Sequence, residues 1–129
     1  MKEKMIVALI TVLCISTVCT CAFAAITADE VFSVASTNLL PSKTATFVAS
    51  TKTEQSYICV TACSLYKKIS NTWYYICALP IPADVETNTS LFGAYQDYSS
   101  YIGTGTYRVY TTFEADGHSI SRYSNERTF

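Results

Sequence analysis

Histidine occurs once in the whole sequence, at His118, and that scarcity removes most general-base and imidazole-metal chemistry from consideration. Glycine is nearly as sparse, with four residues and no Gly-rich phosphate loop, so a nucleotide cradle is not expected. Charge is low at 15%, and 9 Lys+Arg stand against 10 Asp+Glu, a balance that excludes nucleic acid as a default partner. Long apolar runs are missing too: the longest, Met5 to Val18, falls short of the roughly 20 residues a membrane-spanning helix needs. No Cys/His spacing suits a zinc site, and no cofactor is expected.

What is present is a chain of 129 residues, half of them hydrophobic and 13% aromatic, too apolar for a disordered chain and long enough for one domain. The run Met1-Lys2-Glu3-Lys4 is charged, Met5 to Val18 is apolar, and Ala22-Phe23-Ala24 supplies small residues. Those three parts read as a signal peptide over 1–24, with a domain over 25–129. Removing residues 1–24, which hold Lys2, Glu3 and Lys4, leaves 105 residues with 7 basic and 9 acidic side chains. The expected location is outside the cell, with no membrane attachment after cleavage; the alternative is an uncleaved N-terminal anchor.

After residue 24 no window keeps apolar residues at helical spacing, while Thr, Val, Ile, Tyr and Phe dominate. Strands are expected near Val31–Ser36, Thr44–Thr51, Ser56–Lys68, Thr72–Leu79, Leu91–Tyr95, Thr106–Glu114 and Ser119–Thr128. Seven short strands suit an all-β, antiparallel β-sandwich. Pro80 and Pro82, followed by the polar stretch Asp84 to Ser90, predict a crossing loop over Pro80–Ser90.

Two hairpins stand out. The first joins Tyr57 to Leu79 across Ile69-Ser70-Asn71. A turn centred on Ser70 sets Cys63 opposite Cys77 and Tyr66 opposite Tyr74. It also puts Cys59, Cys63, Leu65, Trp73, Tyr75 and Cys77 on the core face. The other face is itself apolar, so a slip of one residue would reverse the assignment. The second hairpin turns at Asp116-Gly117, a dipeptide that accepts the positive φ of a type I′ turn, with Tyr107, Val109, Thr111 and Phe113 inward. A two-residue loop there turns Arg122 and Glu126 inward, which a bulge or a three-residue loop would correct.

The stretch Gly105-Thr106-Tyr107-Arg108-Val109-Tyr110 through Asp116-Gly117-His118-Ser119 to Tyr123-Ser124-Asn125-Glu126 resembles the last two strands of fibronectin type III domains. That resemblance implies an immunoglobulin-like sandwich. In it Tyr107 would be a corner tyrosine whose hydroxyl bonds back to the backbone. The whole chain also resembles short secreted proteins of unknown function from Gram-positive bacteria, which implies a compartment and no activity.

Three cysteines follow residue 24. Cys59 and Cys63 stand roughly 13 Å apart along one strand, beyond disulfide reach. Cys63 and Cys77 are the disulfide candidates, a bridge contributing about 3 kcal/mol, and Cys59 is the candidate free thiol. All three serve equally well as small buried hydrophobes. His118 reads as a solvated turn residue, and no two carboxylates are placed together by spacing, so an enzyme is not expected.

Tyrosine is in surplus, with all ten copies after residue 24. Tyr66, Tyr74, Tyr98, Tyr101 and Tyr110 are the candidate ligand-binding residues, exposed aromatics that suit sugar rings and protein surfaces alike. The expected function is a secreted, non-catalytic sandwich that binds a glycan or protein at a cell surface. The alternatives are a self-assembling envelope protein, joined through Cys59 or a bare edge strand, and a secreted antimicrobial or toxin-like effector. Oligomeric state is left open by the sequence.

Overall fold

The computed structural model describes residues 29–129; the signal peptide expected over 1–24 lies outside them. Seven antiparallel strands follow: β1 (Phe32–Leu39), β2 (Thr44–Ile69), β3 (Thr72–Ala78), β4 (Val85–Asp97), β5 (Thr106–Ala115), β6 (His118–Tyr123) and β7 (Arg127–Thr128). The all-β expectation holds, and the strands make one sheet that curls into a half-barrel. β2 is the spine. Its first half pairs with β1 on one edge and β4 on the other, and its second half pairs with β5 and β3.

Strand boundaries differ from expectation in three places, each for a backbone reason. Residues 44–69 form one strand, not two, because the stretch after Ser50 bulges instead of breaking. Four residues of β2, Thr51 to Glu54, face the single residue Ser90 of β4, so three are extra. Further on, Val60 pairs with Phe113 and Ala62 with Thr112, which leaves Thr61 as one extra residue. Each odd insertion swaps which face points inward. The inward set therefore runs Ala45, Phe47 and Ala49, then Ile58 and Val60, then Cys63 and Leu65, all buried. A strand with two such bulges bends around the core and buries residues of both parities.

The crossing loop expected over Pro80–Ser90 is shorter than that, since β4 starts at Val85. Polar residues Glu86, Thr87 and Asn88 read as loop, yet hydrogen bonding to β2 holds them as strand, with Ile58 opposite Glu86 and Tyr57 opposite Thr87. The last expected strand is split at Ser124. The Ser124 N–H donates to the Val109 carbonyl and its Oγ accepts from the Val109 N–H, so a side chain closes the ladder where the register shifts. This irregularity supplies the bulge needed to keep Glu126 exposed, while the β5–β6 loop is the two-residue Asp116-Gly117 turn with φ of 46° and 81°.

The core lies within the curl. Phe92 of β4 meets Phe113 of β5 edge to face at 6.5 Å, joining the two halves. Across the same interior the Thr37 hydroxyl donates to Thr111 Oγ1 at 2.8 Å, and the Cys63 thiol donates to Thr111 Oγ1 at 3.9 Å. Burial pushes the Cys63 thiol pKa up, against its bonds to Tyr98 and Thr111.

Candidate functional site: an aromatic face around Arg108

The β2–β3 turn decides what the outer face carries. Ile69 pairs with Thr72, so the loop is the two-residue pair Ser70-Asn71, with φ of 50° and 64°. That geometry is the type I′ hairpin, whose twist matches the flanking strands. The three-residue turn expected from sequence is thereby corrected, and with it the faces of β3. Tyr66 stands opposite Tyr75, not Tyr74, and Lys68 opposite Trp73. Trp73 and Tyr75 move from the expected core face to the outer one.

Four strands contribute to that outer face, and the pairings bring six side chains together. Tyr66 of β2 lies between Tyr75 of β3 and Arg108 of β5, and Tyr110 of β5 faces Tyr123 of β6. The Tyr66 ring meets Tyr75, Tyr110 and Tyr123 edge to face at 5.8, 6.3 and 5.8 Å. Tyr110 and Tyr123 are 4.6 Å apart between centroids. The Arg108 guanidinium sits 3.7 Å from the centre of the Tyr123 ring and 4.2 Å from that of Trp73, held by cation–π attraction. Tyr75 and Tyr123 are the most open of the rings, 57% and 47% exposed. Lys68 approaches Trp73 at 5.6 Å and forms an ion pair with Glu126 at 3.7 Å.

Of the five tyrosines singled out by sequence, Tyr66 and Tyr110 are in this cluster. Tyr74 pairs with Lys67 and falls on the opposite face, where it is exposed. Tyr98 is fully buried, its hydroxyl donating to the Pro80 carbonyl at 2.7 Å, and burial together with the neighbouring Cys63 pushes its pKa far up. Tyr101 is exposed but meets the Tyr98 ring edge to face in the β4–β5 connection. Trp73, Tyr75, Arg108 and Tyr123 were the residues missed. The tolerance of Asn71 for left-handed backbone was the signal that would have found the first two.

The cysteines follow the same register. Leu65, not Cys63, stands opposite Cys77, because the two-residue turn shifts the register by one and the extra residue Ile76 in β3 shifts it by one more. Cys63 and Cys77 are therefore diagonal neighbours, a placement that typically separates Cα atoms by about 7–8 Å, and Cys59, Cys63 and Cys77 are all free thiols. Burial and the nearby Glu114 raise the pKa of Cys59, which keeps it a poor nucleophile.

His118 is not a solvated turn residue. Its Nε2 lies 3.1 Å from both oxygens of Asp29, which also accepts the N–H groups of Val31 and Phe32 at 2.8 Å. Burial works against the Asp29 charge, but the Phe32 and Val31 N–H groups and His118 outweigh it and hold the carboxyl at about 2. The pair fastens the start of β1 to the β5–β6 turn. At that turn the Tyr57 hydroxyl donates to Glu114 and accepts from the Gly117 N–H at 3.0 Å, while Asp116 accepts from Ser56 N–H at 2.9 Å. Among the described residues no group of three or more His, Cys, Asp or Glu could hold a metal ion.

The Tyr107 hydroxyl donates to the Thr104 carbonyl at 3.3 Å, three residues upstream. Comparison with protein family models, with curated proteins and with solved structures finds no match for this chain.

Proposed function

We propose that this is a secreted, non-catalytic binding protein that takes a cell-surface glycan on the outer face of the β3-β2-β5-β6 sheet. The observation that carries the reading is the cluster itself. Trp73, Tyr75, Tyr66, Arg108, Tyr110 and Tyr123 come from four strands yet form one continuous patch. Aromatic rings with hydroxyl tips offer an apolar surface for the C–H faces of a sugar and hydrogen bonds for its hydroxyls. The sole imidazole of the sequence, His118, is bonded to Asp29 at the β5–β6 turn and is not one of the side chains of this patch, which fits a binding role for the aromatic face. An immunoglobulin-like, fibronectin type III-like class is part of the same proposal, supported by the Tyr107 to Thr104 bond and by the contact of Phe92 of β4 with Phe113 of β5 across the interior.

The test is a glycan array and a pulldown on intact cell envelopes, run with the wild-type chain and with Y75A and Y123A. Binding by the wild type and a loss of about tenfold in each variant is expected, since a stacking aromatic is worth roughly 1–2 kcal/mol. Blank arrays and pulldowns, or variants that bind as the wild type does, would overturn the reading.

Self-assembly is the second reading, favoured by β3. Of the nine large apolar side chains exposed among the described residues, Ile69, Tyr74, Tyr75, Ile76, Ile81 and Val85 lie on β3 or beside it. β3 itself, Thr72–Ala78, carries no Lys, Arg, Asp, Glu or Pro to protect its free edge. Light scattering that shows a monomer at high concentration under oxidising conditions would remove it.

A further inference from the structure

Among the described residues, Arg108 holds the one cation on the aromatic face that no carboxylate answers. Lys68 has Glu126 at 3.7 Å, whereas the Arg108 guanidinium has neither an ion pair nor a hydrogen-bond acceptor among the described residues. Its Nε is buried without a hydrogen-bond partner, and the residue as a whole is half-buried, not enclosed. Trp73 occupies one approach to the guanidinium at 4.2 Å and Tyr123 another at 3.7 Å. What is left free is its hydrogen-bonding edge, held in place by the rings. A guanidinium fixed in this way has already lost the side-chain freedom that binding would otherwise cost, and its paired N–H groups match the two oxygens of a carboxylate.

Resting on the glycan reading above, we infer that the glycan is an acidic one, with Arg108 receiving a sugar carboxylate while the flanking tyrosines take the ring. The chain as a whole has no positive excess, so recognition is local, through one fork and its aromatic walls, and not through a long-range basic field. Arg108 is therefore a specificity residue: it distinguishes an acidic sugar from its neutral counterpart.

The experiment measures binding of the full chain to polygalacturonate, alginate and hyaluronate, to the methyl ester of each, and to poly-glutamate, by calorimetry at two salt concentrations. The wild type is expected to prefer at least one free acid over its ester by about tenfold, with a shallow salt dependence. R108Q is expected to erase that preference, and R108K to lose most of it, because an ammonium keeps the charge but not the planar fork. Thermal melts of both variants establish that they are folded. Equal binding of acid and ester by the wild type, or an undiminished preference in R108Q, overturns the inference while leaving the glycan reading intact. Poly-glutamate bound as tightly as the polysaccharides overturns it in favour of an acidic protein partner. No binding to any acid or ester defeats the inference, and blank arrays as well would defeat the reading beneath it.

Discussion

The Thr37–Thr111 hydrogen bond is the sharpest place to test how the two halves of the curled sheet are joined. Both residues are buried, Thr111 completely, and the bond at 2.8 Å links β1 to β5 without any backbone ladder between them. Thr37→Val leaves the buried Thr111 hydroxyl with only the weak Cys63 thiol as a partner, and Thr111→Val strands the Thr37 hydroxyl and takes the acceptor from the Cys63 thiol. A buried polar group left unsatisfied costs about 1–3 kcal/mol, so each single variant is expected to lose roughly 1–2 kcal/mol net of the added methyl contact. For a domain of this size that lowers the Tm by roughly 5–15 °C. The double variant removes both hydroxyls and puts two methyl groups where they met, leaving only the weak Cys63 thiol donor without its acceptor, so it should return to within about 1 kcal/mol of wild type. The coupling, about 1–2 kcal/mol or more, is read from urea melts of the four proteins by circular dichroism. If the double variant is as unstable as the two singles added together, the hydroxyls do not satisfy each other and the account of the core is wrong.

Acid stability should report the Asp29 clasp. Because the folded carboxyl is held at about 2, below its ordinary 3.8, its contribution is complete above about pH 4–5 and is lost as pH falls towards 2. Relative to D29N, the wild type should shed roughly 1–2 kcal/mol between pH 4 and pH 2, and parallel curves for the two proteins would contradict this. At the β5–β6 turn Gly117 has φ of 81° with nothing within 4 Å of where a Cβ would stand, so G117A should cost about 1 kcal/mol through backbone conformation alone, measured by urea melt. A loss near zero would mean the turn relaxes. Cys59, Cys63 and Cys77 should all titrate with a thiol reagent after unfolding, with Cys63 slow in the native protein. A non-reduced peptide map that links Cys63 to Cys77 would refute the β2–β3 register.

Much of the strand content was legible because it rests on local rules. Asp116-Gly117 is a turn that little else can form, and the alternation from Tyr107 to Phe113 gave the inward set of β5 correctly. The aromatic face was legible only in half. Tyr66 and Tyr110 are expected to be exposed, and the alternation of β5 puts Arg108 on the same side as Tyr110, but it does not reveal the partners across the sheet. Period-two reasoning carries no error tolerance: one residue in the Ser70-Asn71 turn moved Trp73 and Tyr75 from inside to outside and displaced Tyr74 to the other face. Tyr98 was hidden for another reason, since a tyrosine in a polar connection reads as exposed until the chain folds over it and offers the Pro80 carbonyl.

The amino-acid sequence by itself determined that this chain is built of strands and where its tight turns lie, because β-branched and aromatic residues and left-handed turn residues act through neighbours in the chain. Tertiary structure alone decided which face each strand turns to the core. The bulges at Thr51–Glu54, Thr61 and Ile76 exist only where two strands of unequal length are matched, and no local preference announces them. Those bulges bend β2 into a half-barrel, and the type I′ turn after it sends β3 back with Trp73 and Tyr75 outward. Only then does Arg108 find itself between two rings contributed by strands 50 residues apart in sequence, from Trp73 to Tyr123.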